Sequence, residues 1–249
     1  MLNVLRGLKH RVVRHVAMSI EKCGAWLIMA HLRGRIFSGP FRSVRFSEQE
    51  VFGGKIAKLL GTYELELQDT LGEIERMQPS VALNIGGAEG YYAVGLAAAW
   101  GVNKVIVYEL TTEGRELIVK NANLNSIADH LDIRGACTPK DLVETLKNDA
   151  VQLLIMDIEG AELDVLEPEV LRGLGGCVVI VESHDFCRPG CIDKLCSRFQ
   201  DTHTIEIITS KNRIVRDFPC RFYMPAFLKQ WLMDEGRPGP MQWLVGYPR

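Results

Sequence analysis

The 249-residue sequence contains no run of about 18 apolar residues, the length that a membrane-spanning helix needs. Its net charge is only −2, and aromatic residues make up 8% of the chain. With 47% hydrophobic and 24% charged residues, the composition is that of an ordinary soluble globular protein. We therefore expect a soluble protein that has either one domain with appendages or two small domains.

The sequence also lacks a regular cysteine framework. Its seven cysteines are an odd number and are scattered along the chain, unlike the paired cysteines of small secreted domains. Cys187, Cys191 and Cys196 lie close together, but their spacing matches no common zinc or iron–sulfur motif. We expect these three thiols to pack as small apolar groups, and we expect a cytoplasmic, reducing location.

The small net charge conceals an uneven distribution. Residues 1–45 contain nine lysines and arginines against one acid, Glu21, so this segment carries +8 and the remainder −10. A basic leader is typical of a nucleic-acid arm, a membrane-surface helix or a targeting peptide. Its apolar part, residues 23–32, is too short to cross a bilayer and lies too late for a usual signal peptide. We favour amphipathic helices that pack on the domain as a lid or a dimer surface.

From residue 81 onward, hydrophobic periodicity predicts alternating strands and helices. Strands connected through helices favour a parallel, doubly wound sheet with right-handed crossovers. The last two strands lack a full-length helix between them and flank turn-forming residues, so they are predicted to be antiparallel. The predicted strands are residues 81–85, 104–108, 131–134, 151–157, 177–182, 204–209 and 242–247, and the predicted helices are residues 91–100, 112–125, 139–147, 161–172 and 192–199.

A glycine-rich turn follows the first predicted strand. The strand V-A-L-N-I, residues 81–85, leads into G-G-A-E-G, residues 86–90, and the second strand ends on Glu109. Such a turn lets a ligand approach bare backbone, and an acid about 20 residues further on can accept hydrogen bonds from ribose hydroxyls. The pattern indicates an adenosine-bearing cofactor, which can be a dinucleotide or S-adenosylmethionine.

Carboxylates follow three of the first five predicted strands. Glu109 follows the second strand, residues 157–162 contain three acids after the fourth, and residues 182–185 contain two after the fifth. Ligands of doubly wound sheets bind beyond the carboxyl ends of the strands. The coincidence of these acids with the glycine turn predicts a functional site at that edge.

Four stretches of the predicted sheet domain carry further motifs. They are N-I-G-G-A-E-G-Y-Y-A at residues 84–93, Tyr108-Glu109 with N-A-N-L-N at residues 121–125, M-D-I-E-G-A-E-L-D-V-L at residues 156–166, and I-V-E-S-H at residues 180–184. Together they resemble the class I S-adenosylmethionine-dependent methyltransferases, and in particular the FkbM-type group. The resemblance covers about residues 61–184, and its most specific part is the Asp-x-Glu-Gly-x-Glu run after the fourth strand.

The resemblance implies where S-adenosylmethionine would bind. Gly86, Ala88 and Gly90 would let its methionine part lie against the backbone, near the amides of the following helix. Glu109 would accept both ribose hydroxyls. The other implied contacts are Leu110, Ala136 and Cys137 around the adenine, Asp157 beside the methyl group, and Glu64 of the upstream G-T-Y-E segment, for which a surface turn is the alternative.

The chain departs from the family pattern at two positions. Asn84, which we still count among the cofactor-binding residues, stands where the family usually has Asp. An amide accepts hydrogen bonds but does not offset the positive charge of the cofactor, so the change bears on cofactor affinity. Met156 replaces a lysine that is common before the fourth-strand acid, which leaves Asp157 without that neighbouring cation.

Asp157, Glu182 and His184 are the candidate catalytic residues. Asp157 would line the methyl-transfer site, and His184 is the candidate general base because its ordinary pKa suits proton removal near neutrality. Glu182 and His184 are expected on one face of the fifth strand. The three side chains could instead hold Mg²⁺ or Mn²⁺, or Glu182 or His184 could only hydrogen-bond a helix N-terminus or a loop. Glu159 is expected to form a tight turn and Glu162 to favour a helix dipole.

We predict a Rossmann-like α/β domain over residues 77–249, with a doubly wound, mostly parallel seven-stranded sheet and an antiparallel last strand. A helical appendage is predicted over residues 1–76. The resemblance implies methyl transfer to a hydroxyl of a small molecule such as a sugar, a glycolipid or a secondary metabolite. The alternatives are methylation of RNA or another macromolecule docked by the basic leader, and a non-methylating use of the cofactor. Nucleic acid is the less favoured partner, and a homodimer is plausible.

Overall fold

The computed structural model describes residues 34–47, 54–219, 224–237 and 239–249. Seven strands form one sheet with the order β3-β2-β1-β4-β5-β7-β6. The strands are β1 Val81–Ile85, β2 Lys104–Tyr108, β3 Leu131–Arg134, β4 Leu153–Met156, β5 Val178–Ser183, β6 His203–Thr209 and β7 Gln242–Pro248.

The strand directions confirm the predicted mixed sheet. β1 is parallel to β2 and β4, β2 to β3, and β4 to β5, whereas β7 is antiparallel to both of its neighbours, β5 and β6. Because β7 lies between them and runs opposite to both, β6 points the same way as β5. The carboxyl ends of six strands therefore meet at one edge, where ligands of such sheets bind.

Nine α-helices lie in the described part of the chain. The predicted helix over residues 161–172 is wrong as a single element, because Pro168 has no N–H to continue a helix and instead starts a second one. The helices are α1 Lys55–Leu60, α2 Gln68–Arg76, α3 Tyr91–Ala99, α4 Thr112–Leu124, α5 Pro139–Asn148, α6 Glu162–Val165, α7 Pro168–Leu174, α8 Cys191–Phe199 and α9 Ala226–Leu232.

The sheet separates two apolar cores. Successive residues of β1 enter different cores, with Ala82 on one face and Leu83 on the other, as the alternation of a strand requires. Phe41 of the predicted appendage is fully buried in the first core, and a methyl group added at Gly95 of α3 would lie 2.5 Å from its ring. The described part of residues 1–76 thus packs closely against the sheet domain. The predicted boundary between the appendage and the sheet domain, near Arg76, stays a proposal.

Two other expectations concern membrane contact and cysteine chemistry. Within the described ranges, no helix is both long and apolar enough to cross a membrane. The described cysteines, including the cluster Cys187, Cys191 and Cys196, are free thiols. Most of the basic leader and its apolar stretch, residues 23–32, lie outside the described residues.

Candidate active site

The glycine turn after β1 is held against the ends of β2 and β4. Gly86 and Gly87 donate their N–H groups to the carbonyl of Tyr108 at 2.9 and 3.0 Å. A Cβ atom at Gly86 would lie 1.6 Å from the carbonyl oxygen of Asp157, and the φ angle of Gly86 is +86°. Gly90 has φ +91° and begins α3. The close approach at Gly86 therefore excludes any side chain there and brings Asp157 beside the turn.

Glu109 fixes this turn from the end of β2. Its Oε2 atom accepts a hydrogen bond from the Ala88 N–H at 2.8 Å. Its Oε1 atom accepts from both the N–H and the hydroxyl of Thr111, each at 2.7 Å. Since a carboxylate oxygen has two lone-pair positions, only Oε2 keeps an open acceptor position. Ala88 itself has a left-handed backbone, with φ +46°.

The residues predicted to enclose an adenine lie at the ends of neighbouring strands. Leu110 follows β2 and its side chain is 74% exposed, which is unusual for a large apolar residue. Ala136 and Cys137 follow β3, where Ala136 is exposed and Cys137 is half-buried. Burial raises the pKa of the Cys137 thiol to about 12, so this side chain is neutral at physiological pH.

Asn84 occupies a buried position in β1. Its amide nitrogen donates to the carbonyl of Ile155 in β4 at 3.3 Å. Its amide oxygen is buried and has no hydrogen-bond partner among the described residues. Asn84 therefore joins β1 to β4 and keeps one acceptor unused.

Asp157, His184 and Glu162 form a chain of polar contacts at the ends of β4 and β5. The Nδ1 atom of His184 lies 2.7 Å from the Oε1 atom of Glu162, and its Nε2 atom lies 3.5 Å from the Oδ1 atom of Asp157. Glu162 also accepts from the Gly160 N–H at 3.0 Å. An ionised Glu162 can only accept, so the Nδ1 atom carries the proton, and Nε2 is the atom left to gain or lose one.

The two sides of the His184 ring differ in exposure. The Glu162 side chain on the Nδ1 side is fully buried. On the Nε2 side, the side chains of Asp157 and Glu159 are 34% and 65% exposed, and a Glu159 oxygen lies 3.4 Å from Nε2. The Nε2 atom therefore lies on the side of the ring with the more exposed neighbours, whereas the ring itself is only 2% exposed and the Asp157 Oδ1 atom beside it is buried.

The charges of this group shift one another's pKa values. Burial alone would lower the pKa of His184, but the hydrogen bond to Glu162 and the charge of Asp157 outweigh it, so the pKa is raised. Burial would raise the pKa of Glu162, yet its hydrogen bonds with His184 and Gly160 lower it. Burial raises the pKa of Asp157, although the nearby His184 opposes this. The contact between His184 and Glu162 thus raises the pKa of one and lowers that of the other, and Asp157 is coupled electrostatically to both.

Glu182, the other predicted catalytic acid, takes part in a different contact. Its Oε1 atom accepts from Arg237 at 2.7 Å, whereas His184, one residue beyond the end of β5, pairs with Glu162. The same Arg237 guanidinium contacts Glu64 at 3.2 Å and Glu235 at 2.7 Å. A single, mostly buried cation, with 17% of its side chain exposed, therefore joins three carboxylates, of which Glu64 and Glu182 come from distant parts of the chain.

Glu64 is buried within this arrangement and not on a surface turn. Its carboxylate also accepts a hydrogen bond from the hydroxyl of Tyr92 in α3. Burial raises its pKa to about 7, although Arg237 opposes the shift. Burial and the charges of Asp157 and Glu64 likewise raise the pKa of Glu182. These acids are electrostatically coupled to Asp157, and Glu64 is connected through Tyr92 to the helix that follows the glycine turn.

The contacts of Glu162 and Arg237 differ from those that their sequence positions predict. Glu162 is expected to favour a helix dipole, but it is the buried partner of His184. A signal for it existed, since it is the last acid of the Asp-x-Glu-Gly-x-Glu run. Arg237 belongs to a segment predicted only as turn material, and nothing in its local sequence indicates its partners.

The sheet order, the glycine turn after β1 and the acids after β2 and β4 define a class I methyltransferase that depends on S-adenosylmethionine. Residues 75–212, more than half of the chain, match the model of the methyltransferase FkbM domain. The chain belongs to this family.

The chain is also similar to several solved structures, each at low sequence identity. They include a Streptococcus pneumoniae putative tRNA (m1A22) methyltransferase in complex with S-adenosyl-L-methionine, with 18% identity, TM-score 0.49 and coverage of 72% of both chains. A Thermotoga maritima SAM-dependent O-methyltransferase has 14% identity and TM-score 0.45, covering 72% of this chain and 64% of its own. A Geobacter metallireducens precorrin-6y C5,15-methyltransferase has 11% identity and TM-score 0.46, covering 72% and 88%. No curated protein matched the chain in a sequence comparison.

Proposed function

We propose that this methyltransferase transfers its methyl group to a hydroxyl of a small molecule, with His184 as the general base. The observation that carries the proposal is the pair of contacts made by His184. Buried Glu162 holds the proton on Nδ1, and Nε2 lies 3.5 Å from the Oδ1 atom of Asp157, on the side of the ring with the more exposed acids. A hydroxyl needs a base of this kind, because it is a weak nucleophile while protonated.

The proposed step balances without any further reactant. The acceptor oxygen attacks the methyl carbon, the carbon–sulfur bond breaks, and its electrons leave sulfur neutral in S-adenosylhomocysteine. The hydroxyl proton moves to Nε2 of His184, and the resulting imidazolium is stabilised by Asp157 and Glu162. Holding the acceptor oxygen in line with the methyl carbon and the sulfur accelerates the reaction further.

The cofactor contacts implied by the sequence become part of the same proposal. Gly86, Ala88 and Gly90 supply the bare backbone of the turn, Leu110 supplies an exposed apolar surface for the adenine together with Ala136 and Cys137, and Asn84 offers its unused amide oxygen. Glu109 has one open acceptor position, on Oε2. It would therefore accept a hydrogen bond from one ribose hydroxyl as long as Thr111 keeps its hydrogen bonds to Oε1.

The test is product analysis with isotopically labelled S-adenosylmethionine. The protein is incubated with a panel of hydroxyl compounds, namely methyl glycosides, phenols and aliphatic alcohols, and S-adenosylhomocysteine and labelled product are quantified. The proposal predicts an O-methyl resonance in the product and its loss in His184→Gln with unchanged cofactor binding. N- or C-methyl products, or methylthioadenosine in place of S-adenosylhomocysteine, would contradict it.

A divalent cation gives the same site a second way to activate the hydroxyl. Asp157, Glu159 and His184 each offer one ligand atom, and these atoms lie within 4.8 Å of one another. Glu159 takes the place that the sequence assigns to Glu182, which is engaged by Arg237. Mixed oxygen and nitrogen ligands suit Mn²⁺ better than Mg²⁺, and buried Glu162 would hold the histidine ring in place through its contact with Nδ1.

Chelation separates the two ways of activation. If a metal takes part, EDTA abolishes turnover and Mn²⁺ restores it. The electron paramagnetic resonance spectrum of free Mn²⁺ should then change when the metal-free protein is added, and should not change when the Glu159→Gln variant is added. If His184 acts alone as the base, the rate is unaffected by EDTA.

Two further proposed partners, a second copy of this chain and nucleic acid, would both bind through residues 1–45. Most of these residues lie outside the described ranges. We keep a small-molecule acceptor as the partner and a reducing cytoplasm as the location, the latter because the described cysteines are free. Sedimentation of the full chain, and RNA binding at several salt concentrations with and without residues 1–45, test the first two.

A further inference from the structure

A cavity of about 380 Å³ lies beyond β6 and β7, at the sheet edge that also carries the glycine turn. Its wall includes residues 210–213, which directly follow β6, and residues 233–235 with Arg237 before β7. β6 points the same way as β5, so the cavity opens at the ligand-binding edge of the sheet. The volume is within the range of small-molecule pockets.

The strand order places this cavity on the other side of the methyl-transfer site from the cofactor turn. The turn lies over β1 and β2, Asp157 and His184 lie at the ends of β4 and β5, and the cavity lies over β7 and β6. Arg237 borders both regions, because it lines the cavity and its guanidinium contacts Glu182 of β5 at 2.7 Å. A molecule in the cavity would therefore approach the ends of β4 and β5 from the side opposite the glycine turn, with Arg237 between them.

The charged groups of the cavity wall balance one another. Arg213 binds Glu66 and Glu235 as ion pairs, and Arg237 binds Glu235 from the other side. The three cationic and three acidic side chains of the wall are Lys211, Arg213, Arg237, Glu66, Asp234 and Glu235. A wall with no net formal charge favours a neutral ligand over an anion or a cation.

Two of these buried side chains keep unused hydrogen-bonding capacity. The Glu66 side chain is 1% exposed and the Arg213 side chain 9% exposed. The Oε1 atom of Glu66 and the Nε atom of Arg213 have no hydrogen-bond partner among the described residues. A buried polar atom without a partner destabilises the fold, and a hydroxyl group, which both donates and accepts, can satisfy both kinds.

We infer that this cavity is the acceptor pocket and that it takes a neutral, hydroxyl-rich group such as a sugar ring. The inference rests on the proposed O-methylation and adds the place and the chemistry of acceptor binding. Glu66 and Arg213 are its specificity-determining residues. The exposed cavity wall is almost evenly polar and apolar, with Met233 and Pro240 among its apolar parts, which suits a sugar ring with hydroxyl edges and apolar faces better than a wholly apolar ring.

The chain offers a matched pair of variants for the test. Gly239 lines the cavity, and a Cβ atom built there meets no atom within 4 Å, so Gly239→Phe can add bulk without removing a contact. Gly176 also has open space around its Cβ position, but it lies before β5 at the opposite edge of the sheet. Gly176→Phe is therefore the control for an added surface phenylalanine.

Binding is measured by saturation-transfer NMR in the presence of S-adenosylhomocysteine. The probes are a set of methyl hexopyranosides, with benzyl alcohol as an apolar probe and glucuronate as an anionic one. The inference predicts that glycosides bind to the unmodified protein and to Gly176→Phe, and that affinity falls about tenfold or more in Gly239→Phe. Glu66→Gln, which keeps its shape, should weaken glycoside binding as well.

Two results would overturn the inference. One is that no glycoside binds, or that benzyl alcohol or glucuronate binds in preference. The other is that glycoside binding is the same in Gly239→Phe and Gly176→Phe. Turnover with S-adenosylmethionine tests the proposed function separately. Glycosides that bind in the cavity but yield no methylated product contradict the O-methylation of these sugars, whereas methylation that Gly239→Phe leaves unchanged contradicts the pocket alone.

Discussion

The two halves of the ligand-binding edge are held together in different ways. Around β1 and β2, the contacts join backbone atoms to side chains that are close in the chain, such as Ala88 to Glu109 at a separation of 21 residues. Around β5 and β7, Arg237 joins carboxylates that include Glu64, at a separation of 173 residues. The half with the glycine turn is thus fixed by local geometry, and the half around Arg237 by charges that are largely buried.

This difference determines how each half responds to change. A backbone turn tolerates a wide pH range but no added atom, whereas a buried ion cluster tolerates small changes of shape but depends on the protonation of its members. Substitutions that add atoms should therefore damage the first half most, and substitutions or pH values that change charge should damage the second.

The largest effect is expected for Gly86→Ala. The added Cβ atom would lie 1.6 Å from the Asp157 carbonyl oxygen at a positive φ angle, so strain and overpacking together cost about 5 kcal/mol. Urea unfolding and calorimetry with S-adenosylmethionine should show a large loss of stability and no binding. Gly101→Ala, at φ +71° with no atom within 4 Å, is the matched control and should cost about 1–2 kcal/mol with binding intact. Equal effects of the two substitutions would refute the role of the close approach.

The next effect is expected for Arg237→Met. The substitution leaves Glu64, Glu182 and Glu235 without their shared cation, and an uncompensated buried charge costs about 3–5 kcal/mol. Unfolding free energies at pH 8 should show this loss, and the double variant with Glu182→Gln should recover part of it. A loss below about 1 kcal/mol would mean that the carboxylates do not depend on Arg237.

A smaller effect concerns the pH dependence of stability. Burial raises the pKa of Glu64 from 4.5 to about 7, so the folded state holds this proton more tightly than the unfolded state. The protonated Glu64 carboxyl therefore contributes fully to the free energy of unfolding below about pH 4.5. This contribution, roughly 2–3 kcal/mol, is lost as the pH rises to about 7. Glu64→Gln should flatten the decline of unfolding free energy between pH 5 and 7, and a slope like that of the unmodified protein would contradict the shift.

The smallest effect is expected for Glu162→Gln. The hydrogen bond to Glu162 and its charge help to raise the pKa of His184, so the neutral amide should lower that pKa. The His184 ring-proton resonance, followed by NMR from pH 5 to 9, reports the change without any need for turnover. If the resonance titrates at the same pH in both proteins, Glu162 does not set the charge state of His184.

The same contrast explains what the sequence could predict. The order of elements, the glycine turn and the position of Glu109 follow from hydrophobic periods and residues close in sequence, and the predicted mixed sheet is confirmed. The Arg237 cluster could not be predicted, because its pairs depend on how distant segments meet. The break at Pro168 could have been predicted from its missing N–H, whereas the pairing of Glu162 with His184 required the relative placement of β4 and β5.

The interior position of β7 has a consequence for the order in which the sheet is completed. β6 precedes β7 in the chain, yet its only neighbour in the described sheet is β7, which lies between it and β5. A nascent chain that ends at Thr209 contains the residues of β6 but lacks β7, the strand with which β6 pairs. Until β7 is added, the edge of β5 is unpaired and can pair with other chains. A truncation before Gln242 therefore removes two strands from the sheet and exposes a third, although it deletes only one strand from the sequence.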